Sequence, residues 1–451
     1  MITSPAWKDK KYAVLGLARS GKATLDALMM SGASVKAWDS SGEVRQSFCE
    51  HFLEESYPED TLILFPGMDG TLQLVDPLTL DLTGYAGVVV SPGVPLNTHP
   101  IKPHADSFGV PVIGDIELFA QARTDLPPHK VVGITGTNGK STTTALVHHI
   151  LKEVSVPTTM GGNIGLPILE QDPLPEGGVY VLELSSYQID LTYSLDCDVA
   201  VLLNITPDHL DRYDGDFGKY AASKSRLLSL QTAGHNSIAR FTDARVLGQF
   251  AEGSIASILE DVLQNRGFTP SEQSNWPSLQ GPHNRENAAA AIEVCDILGI
   301  SGEQIRTGLK SYPGLAHRME RVAEISGVAY VNDSKGTNTA ASAPALAAFD
   351  NVHWILGGLA KEPGLGECEA ELGHVKAAYT IGKAGPDFAA LLDGRVPVEQ
   401  CETLDRAVSA AAAKAEAGDT VLLSPACASF DQYADFEKRG DHFRALVDGL
   451  I

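Results

Sequence analysis

Val131-Val132-Gly133-Ile134-Thr135-Gly136-Thr137-Asn138-Gly139-Lys140-Ser141-Thr142 reads as an apolar strand, a glycine turn and the opening of a helix that continues over Thr143 to Glu153. The chemistry of the turn follows from its residues. Gly136 and Gly139 leave backbone N–H groups free to point at phosphate oxygens, and the helix N-terminus adds a positive end. Lys140 can reach a β- or γ-phosphate, and Ser141 can bind magnesium. The spacing departs from the general Gly-x-x-x-x-Gly-Lys-Ser/Thr pattern, because Ile134 stands at its first position. The strand before and the helix after favour a phosphate loop over a turn that merely precedes a lysine.

Two further strand-like runs end in polar groups. Val179-Tyr180-Val181-Leu182-Glu183 leads into Leu184-Ser185-Ser186-Tyr187-Gln188, and Val199-Ala200-Val201-Leu202-Leu203-Asn204 leads into Thr206-Pro207-Asp208-His209-Leu210-Asp211. Ligands of parallel sheets collect at the carboxyl ends of strands. Beside a phosphate loop, Glu183 and His209 are candidate ligands of magnesium, which takes one or two protein groups together with phosphate oxygens and water.

The same alternation of short apolar runs with alanine-rich helical stretches continues from end to end, as in parallel sheets covered by helices. A length of 451 residues suggests about three domains. Helix breakers followed by strand-like runs mark seams at Thr124-Asp125-Leu126-Pro127-Pro128-His129 and Ser311-Tyr312-Pro313-Gly314-Leu315-Ala316. The expected domains are therefore 1–126, 127–314 and 315–451. A net charge of −23 from 57 acidic and 34 basic residues excludes broad attraction to nucleic acid or anionic membranes, so any anionic ligand must be held locally. No apolar run approaches the roughly 20 residues that cross a bilayer, and the start Met1-Ile2-Thr3-Ser4-Pro5-Ala6-Trp7-Lys8 lacks a signal peptide's apolar segment. A soluble cytoplasmic monomer is expected. The six cysteines form no Cys-x-x-Cys pair and read as reduced thiols.

In the first part, Tyr12-Ala13-Val14-Leu15 runs into Gly16-Leu17-Ala18-Arg19-Ser20-Gly21 and a helical stretch from Lys22 to Ser31. A second strand, Ser34 to Trp38, ends at Asp39, where dinucleotide folds place the acid that binds a ribose. Ala18 replaces the middle glycine that lets a pyrophosphate approach the backbone, which disfavours NAD but not nucleotide binding. A tight turn with no ligand satisfies this motif equally well. Val88-Val89-Val90-Ser91-Pro92-Gly93 supplies a second glycine loop after a strand.

Gly136 to Thr142, with Gly162-Asn163-Ile164-Gly165, Leu182-Glu183-Leu184-Ser185-Ser186-Tyr187-Gln188 and His283-Asn284-Arg285-Glu286-Asn287-Ala288-Ala289-Ala290-Ala291, closely resembles the Mur ligases of bacterial cell-wall synthesis. The resemblance extends over nearly the whole chain. Within that family, Asp333-Ser334-Lys335-Gly336-Thr337-Asn338 and Ser424-Pro425-Ala426-Cys427-Ala428-Ser429-Phe430-Asp431-Gln432 look like the D-glutamate-adding members. Gly336 stands where alanine is common and Tyr187 where phenylalanine is common.

The resemblance implies an α/β chain of three domains: a Rossmann-like N-terminal domain, a central ATPase-type domain on a mainly parallel sheet, and a Rossmann-like C-terminal domain. It implies an ATP-dependent ligase that joins D-glutamate to UDP-N-acetylmuramoyl-L-alanine through an acyl phosphate. By similarity, Asp39, Ser40, Gly93 and Asn163 bind the UDP-sugar. Gly136, Thr137, Asn138, Gly139, Lys140, Ser141 and Thr142 hold ATP, joined by Asn284, Asn287, His317, Arg318 and Asp333. Magnesium falls to Ser141, Glu183, His209 and Lys224, the last as a carbamate, although the residue alone reads as a solvated helix lysine. Lys140, His209 and Lys224 are the catalytic candidates, with His209 a candidate base toward the incoming amine. Lys335, Thr337, Lys361, Ser429 and Phe436 surround D-glutamate. His317 and Arg318 follow the second seam, where a flexible joint could swing a cation onto the phosphates.

A folylpolyglutamate synthase would not be expected to carry a nucleotide-type first part of some 125 residues before the phosphate loop. A dinucleotide oxidoreductase leaves that loop unexplained, and a non-enzymatic nucleotide switch leaves the polar strand ends of the last part without a role.

Overall fold

The computed structural model describes residues 1–53, 62–63, 70–239 and 255–450. Three six-stranded sheets follow one another along the chain. The first contains β1 (Lys11–Leu15), β2 (Ser34–Trp38), β3 (Leu62–Ile63), β4 (Thr71–Leu74), β5 (Tyr85–Val90) and β6 (Val112–Ile113), in the order β3-β4-β2-β1-β5-β6. The second contains β7 (His129–Thr135), β8 (Thr158–Gly162), β9 (Gly178–Glu183), β10 (Val199–Leu202), β11 (Asn236–Ala239) and β12 (Ile255–Ile258), in the order β12-β11-β10-β7-β9-β8. The third contains β13 (Glu320–Ile325), β14 (Val328–Asn332), β15 (Val352–Gly357), β16 (Val375–Ile381), β17 (Val398–Glu402) and β18 (Thr420–Leu423), in the order β13-β14-β18-β15-β16-β17.

All neighbours pair in parallel except β3 with β4 and β13 with β14, which are antiparallel. The central strands β9, β10 and β15 are buried at every position, as expected when helices cover both faces of a parallel sheet. That is why their sequences are continuous apolar runs and not alternating ones. The three α/β domains anticipated from the sequence are thus present as three sheets.

Two compact units result: residues 1–262 with 290–300, and residues 263–289 with 301–451. In the first, one apolar core is common to both sheets, reaching from Trp7, Tyr12 and Val14 through Phe119 to Tyr180 and Leu182. The Phe119 and Tyr180 rings meet edge to face at 5.1 Å, and the Glu117 carboxylate accepts hydrogen bonds from the Tyr193 and Ser194 N–H groups at 2.7 and 2.9 Å. In the second unit, one cluster around Trp354, Leu356 and Phe388 and another around Tyr379, Val421 and Phe443 complete the core of the third sheet.

Helices begin earlier than their sequence periodicity suggests. The first runs over Arg19–Met30, and the one after the phosphate loop runs over Lys140–Glu153. In both, polar residues occupy the opening turn, so apolar spacing alone misses it.

Candidate functional site

The phosphate loop joins β7 to the helix Lys140–Glu153. Gly139 precedes the helix at φ 84°, a left-handed conformation that glycine adopts without strain. Neighbouring residues pin the loop. Asn204 accepts the Asn138 N–H through its side-chain oxygen at 2.9 Å and the Thr137 N–H through its carbonyl at 2.9 Å. The Thr137 hydroxyl lies 3.0 Å from the Tyr220 hydroxyl and donates to the Thr206 carbonyl at 3.1 Å. Lys140 folds back over the loop, its Nζ donating to the carbonyls of Gly136 and Thr137 at 3.0 and 2.8 Å.

At the adjoining strand end, β8 approaches β9 so closely that a Cβ on Gly162 would overlap the Glu183 carbonyl. That approach delivers Asn163, whose N–H donates to the Glu183 carbonyl and whose side-chain amide donates to Glu183 Oε1, both at 2.8 Å. Glu183 is 2% exposed, and its other oxygen, Oε2, is buried without a hydrogen-bond partner among the described residues. A buried carboxylate oxygen in that state costs free energy unless a cation or donor meets it. Ser141 is likewise buried.

Lys224, on the helix Phe217–Ser229, is not the solvated lysine its sequence context suggests: it is 2% exposed. Its Nζ donates to the Gly136 carbonyl at 2.8 Å, so Lys140 and Lys224 converge on one oxygen. Burial, with the Lys140 charge added, pushes the Lys224 pKa down to about 7, against the pull of Asp208, Glu183 and Asp190. A substantial neutral fraction at neutral pH follows. His209 differs from these groups, being well exposed, left-handed at φ 50°, and beside the Tyr187 ring at 5.7 Å. Among the described residues, no group of three or more His, Cys, Asp or Glu is placed to hold a metal ion unaided.

In the first sheet, Asp39 turns back on its own fold. Its oxygens accept the Leu17 N–H at 2.8 Å and the Ser41 N–H at 2.9 Å, tying the end of β2 to the glycine turn. Ser40 is exposed beside it. Gly93 is exposed, and its carbonyl and that of Pro92 accept from Arg212 at 3.1 and 3.0 Å.

In the second unit, Asn284 and Asn287 lie at the start of the helix Pro282–Ile297 and bond to each other at 3.1 Å. His317 is 6% exposed, at φ 62°, and receives the Asn332 amide on Nδ1 at 3.1 Å. Burial and the nearby Arg444 lower its pKa. The Asn332 amide thus holds the His317 ring in place, and Arg318 stands half-buried beside it.

Asp333, at the end of β14, accepts from Ser424 Oγ at 2.7 Å and the Met319 N–H at 3.2 Å, and burial raises its pKa to about 7. A Cβ on Gly336 would come within 2.8 Å of Ser424 Oγ and 2.9 Å of Asp333 Oδ2, so this carboxyl pocket has room for glycine and none for a methyl group in its present arrangement. Lys335 lies 3.7 Å over the Phe436 ring, and Lys361 donates to Thr337 Oγ1 at 3.3 Å. Lys335, Thr337, Lys361 and Phe436 are thus linked in two pairs, while Ser429 is buried on the neighbouring loop.

Sequence reading missed Asn204, Tyr220 and Arg212. Asn204 ends a strand and Arg212 follows the Asp208-His209 run, so their positions were flagged by neighbours, but their partners lie 66 to 120 residues away and left no local signal.

Three mainly parallel sheets, the middle one bearing a glycine-rich loop of phosphate-binding type beside a buried carboxylate, define a class: three-sheet α/β proteins with a nucleotide-type loop at the carboxyl end of the central sheet. Residues 134–260 match the model of the Mur ligase middle domain and residues 317–427 that of the Mur ligase glutamate ligase domain. The chain is 56% identical to the UDP-N-acetylmuramoylalanine–D-glutamate ligase of Novosphingobium aromaticivorans over all of its length and 97% of the relative's. It is 54% identical to the ligase of the same name from Sphingopyxis alaskensis, with both chains fully covered. Among solved structures, the MurF ligase of Thermotoga maritima in complex with ADP covers 99% of this chain and 97% of its own at TM-score 0.58 and 16% identity. Escherichia coli FolC with DHPP and ADP covers 75% of this chain and 93% of its own at TM-score 0.51 and 19% identity. The chain belongs to the Mur ligase family.

Proposed function

We propose that this protein is the ATP-dependent ligase that adds D-glutamate to UDP-N-acetylmuramoyl-L-alanine in peptidoglycan precursor synthesis. The observation that carries it is the full-length match, above one half identical, to ligases named for that addition. A folylpolyglutamate synthase fits less well, since the FolC structure leaves a quarter of the chain unmatched.

The assignment of roles follows the family resemblance, with the loop at Gly136 to Thr142 and the buried Glu183 in support. Gly136 to Thr142 cradle the phosphates of ATP, with Lys140 exchanging its loop carbonyls for phosphate oxygens. Asn284, Asn287, His317, Arg318 and Asp333 complete the ATP side. Glu183 Oε2 and Ser141 would hold magnesium, which fits because that buried oxygen has no partner among the described residues; the ion supplies charge neutralisation across the phosphates. Lys224 joins them as a carbamate: its neutral amine attacks carbon dioxide, an N–C bond forms, a proton leaves, and an anion replaces a buried cation. Asp39, Ser40, Gly93 and Asn163 take the UDP-sugar. Lys335 and Lys361 meet the two carboxylates of D-glutamate, with Thr337, Ser429 and Phe436 around them. The domains 1–126, 127–314 and 315–451 then correspond to UDP-sugar, ATP and amino acid.

In this reading the UDP-sugar's carboxylate attacks the γ-phosphate, ADP departs, and an acyl phosphate forms. The amine of D-glutamate loses a proton to His209, whose exposure gives it access to solvent, and attacks the acyl carbon. The tetrahedral intermediate collapses with loss of phosphate. The enzyme works as a cytoplasmic monomer on small molecules, without nucleic acid or membrane insertion; no described helix is long and apolar enough to cross a membrane. ADP release measured with each substrate omitted, and with both enantiomers in an amino-acid panel, tests the reading. Release that requires both the UDP-sugar and D-glutamate is expected, and equal turnover without any amino acid overturns it.

A further inference from the structure

The loop that carries Ser429 is fastened to the third sheet at two places. On one side Ala428 and Leu359 exchange backbone hydrogen bonds at 2.8 and 3.0 Å, two residues from Lys361. On the other, Asp431 reaches the turn that follows β16 and accepts the Lys383 N–H on Oδ2 at 2.8 Å. Gln432 reinforces that side by donating its amide to the Glu402 carbonyl at 2.9 Å, the same carbonyl that accepts the Gly382 N–H at 2.9 Å.

The turn is shaped to receive the carboxylate. Gly382 sits at φ 64°, and a Cβ there would overlap Asp431 Oδ2. The Ala384 N–H in the same turn donates to the Gly358 carbonyl at 2.9 Å, which ties in the loop that leads to Lys361. Three loops, 357–361, 382–385 and 428–432, are therefore joined, and Asp431 is the one ionisable side chain in the junction that accepts a backbone N–H of the turn.

We infer that Asp431 is a positioning residue for D-glutamate: seated on the Gly382-Lys383 turn, its carboxylate holds the loop that places Ser429 beside Lys361. A charged acceptor on a backbone donor makes a stronger tether than a neutral pair, and it acts on amino-acid affinity without touching the amino acid. The inference rests on the assignment of Ser429 to the D-glutamate site.

Steady-state kinetics with D-glutamate or ATP varied in turn and the other substrates saturating test it. Asp431→Ala is expected to raise KM for D-glutamate roughly fivefold to tenfold, the ratio expected for one lost hydrogen bond. Its kcat and KM for ATP should stay within about twofold. Asp431→Asn, which keeps a neutral acceptor, should give a smaller rise, and Lys383→Ala, which keeps the N–H, none. Gly382→Ala, whose Cβ would meet the Asp431 carboxylate and also the Gly358 backbone, should raise that KM at least as much, with a combined effect in the double variant smaller than the product of the two. An unchanged KM for D-glutamate in folded Asp431→Ala or Gly382→Ala overturns the inference, as does a parallel loss in all kinetic constants with a lowered Tm. Ser429→Ala separates the two ideas: if it raises the D-glutamate KM while Asp431→Ala does not, the positioning role fails alone; if Ser429→Ala is silent, the assignment of Ser429 fails.

Discussion

Glu183 and Lys224 have burial in common: each keeps a polar end inside the protein, at 2% exposure. Glu183→Gln preserves shape and the contact with Asn163 while removing the anion. Activity should fall on the order of a hundredfold to a thousandfold at fixed magnesium, with Tm close to wild type, as measured by ADP release and thermal unfolding. A Tm drop of many degrees would instead make Glu183 a structural residue.

For Lys224 the sign follows from the depressed pKa. Between about 7 and its ordinary 10.5 the folded chain binds fewer protons than the unfolded one, so stability rises with pH across that window. Below about 7 the buried ammonium works against folding. Carbon dioxide reacts only with the neutral amine, so activity should decline as pH drops through about 7. Lys224→Met should lose activity at every pH without a lower Tm at pH 6. Labelled bicarbonate should give a carbamate carbon signal in the wild type by NMR and none in the variant; a signal that persists in Lys224→Met would place the modification elsewhere.

At the scale of elements, the strands were the most legible part of the sequence because parallel strands buried on both faces write themselves as apolar runs. The phosphate loop was legible for a related reason, since its glycines are required by backbone geometry and sit in fixed order between a strand and a helix. What the sequence did not show is burial of polar residues by distant elements. Lys224 occupies a helix position that solvates in isolation, yet it is buried with its Nζ on the Gly136 carbonyl, 88 residues away in the chain. His317 and Arg318 follow a helix breaker that read as a flexible joint, and the contact of the His317 ring with Asn332 on β14 left no local signal. Arg212 was passed over because its acceptors belong to the first sheet. The close approach of β8 and β9 makes a further element-level prediction. Gly162→Ala must push these strand ends apart at φ 88°, which displaces Asn163 from Glu183; the expected outcome is a loss of about 1–3 kcal/mol in stability, read from denaturant midpoints, with weaker binding of magnesium-dependent ATP analogues.

For the molecule as a whole, two compact units should not melt as one cooperative block. Scanning calorimetry of the free protein should give a calorimetric enthalpy larger than the van't Hoff enthalpy; equality of the two would mean a single cooperative transition. The charge of −23 is compatible with anionic substrates because the cations assigned to them are few and local: Lys140 opens a helix, and Arg318, Lys335 and Lys361 lie in loops. The apolar core common to the first two sheets sets a limit on recombination. Residues 1–126 look like a module in sequence, but their inner face is completed by Tyr180 and Leu182 of the next sheet. Grafting them alone onto another ligase would replace those fitted neighbours with foreign ones, so the portable piece for domain exchange is the pair of sheets together, inherited as a single cassette.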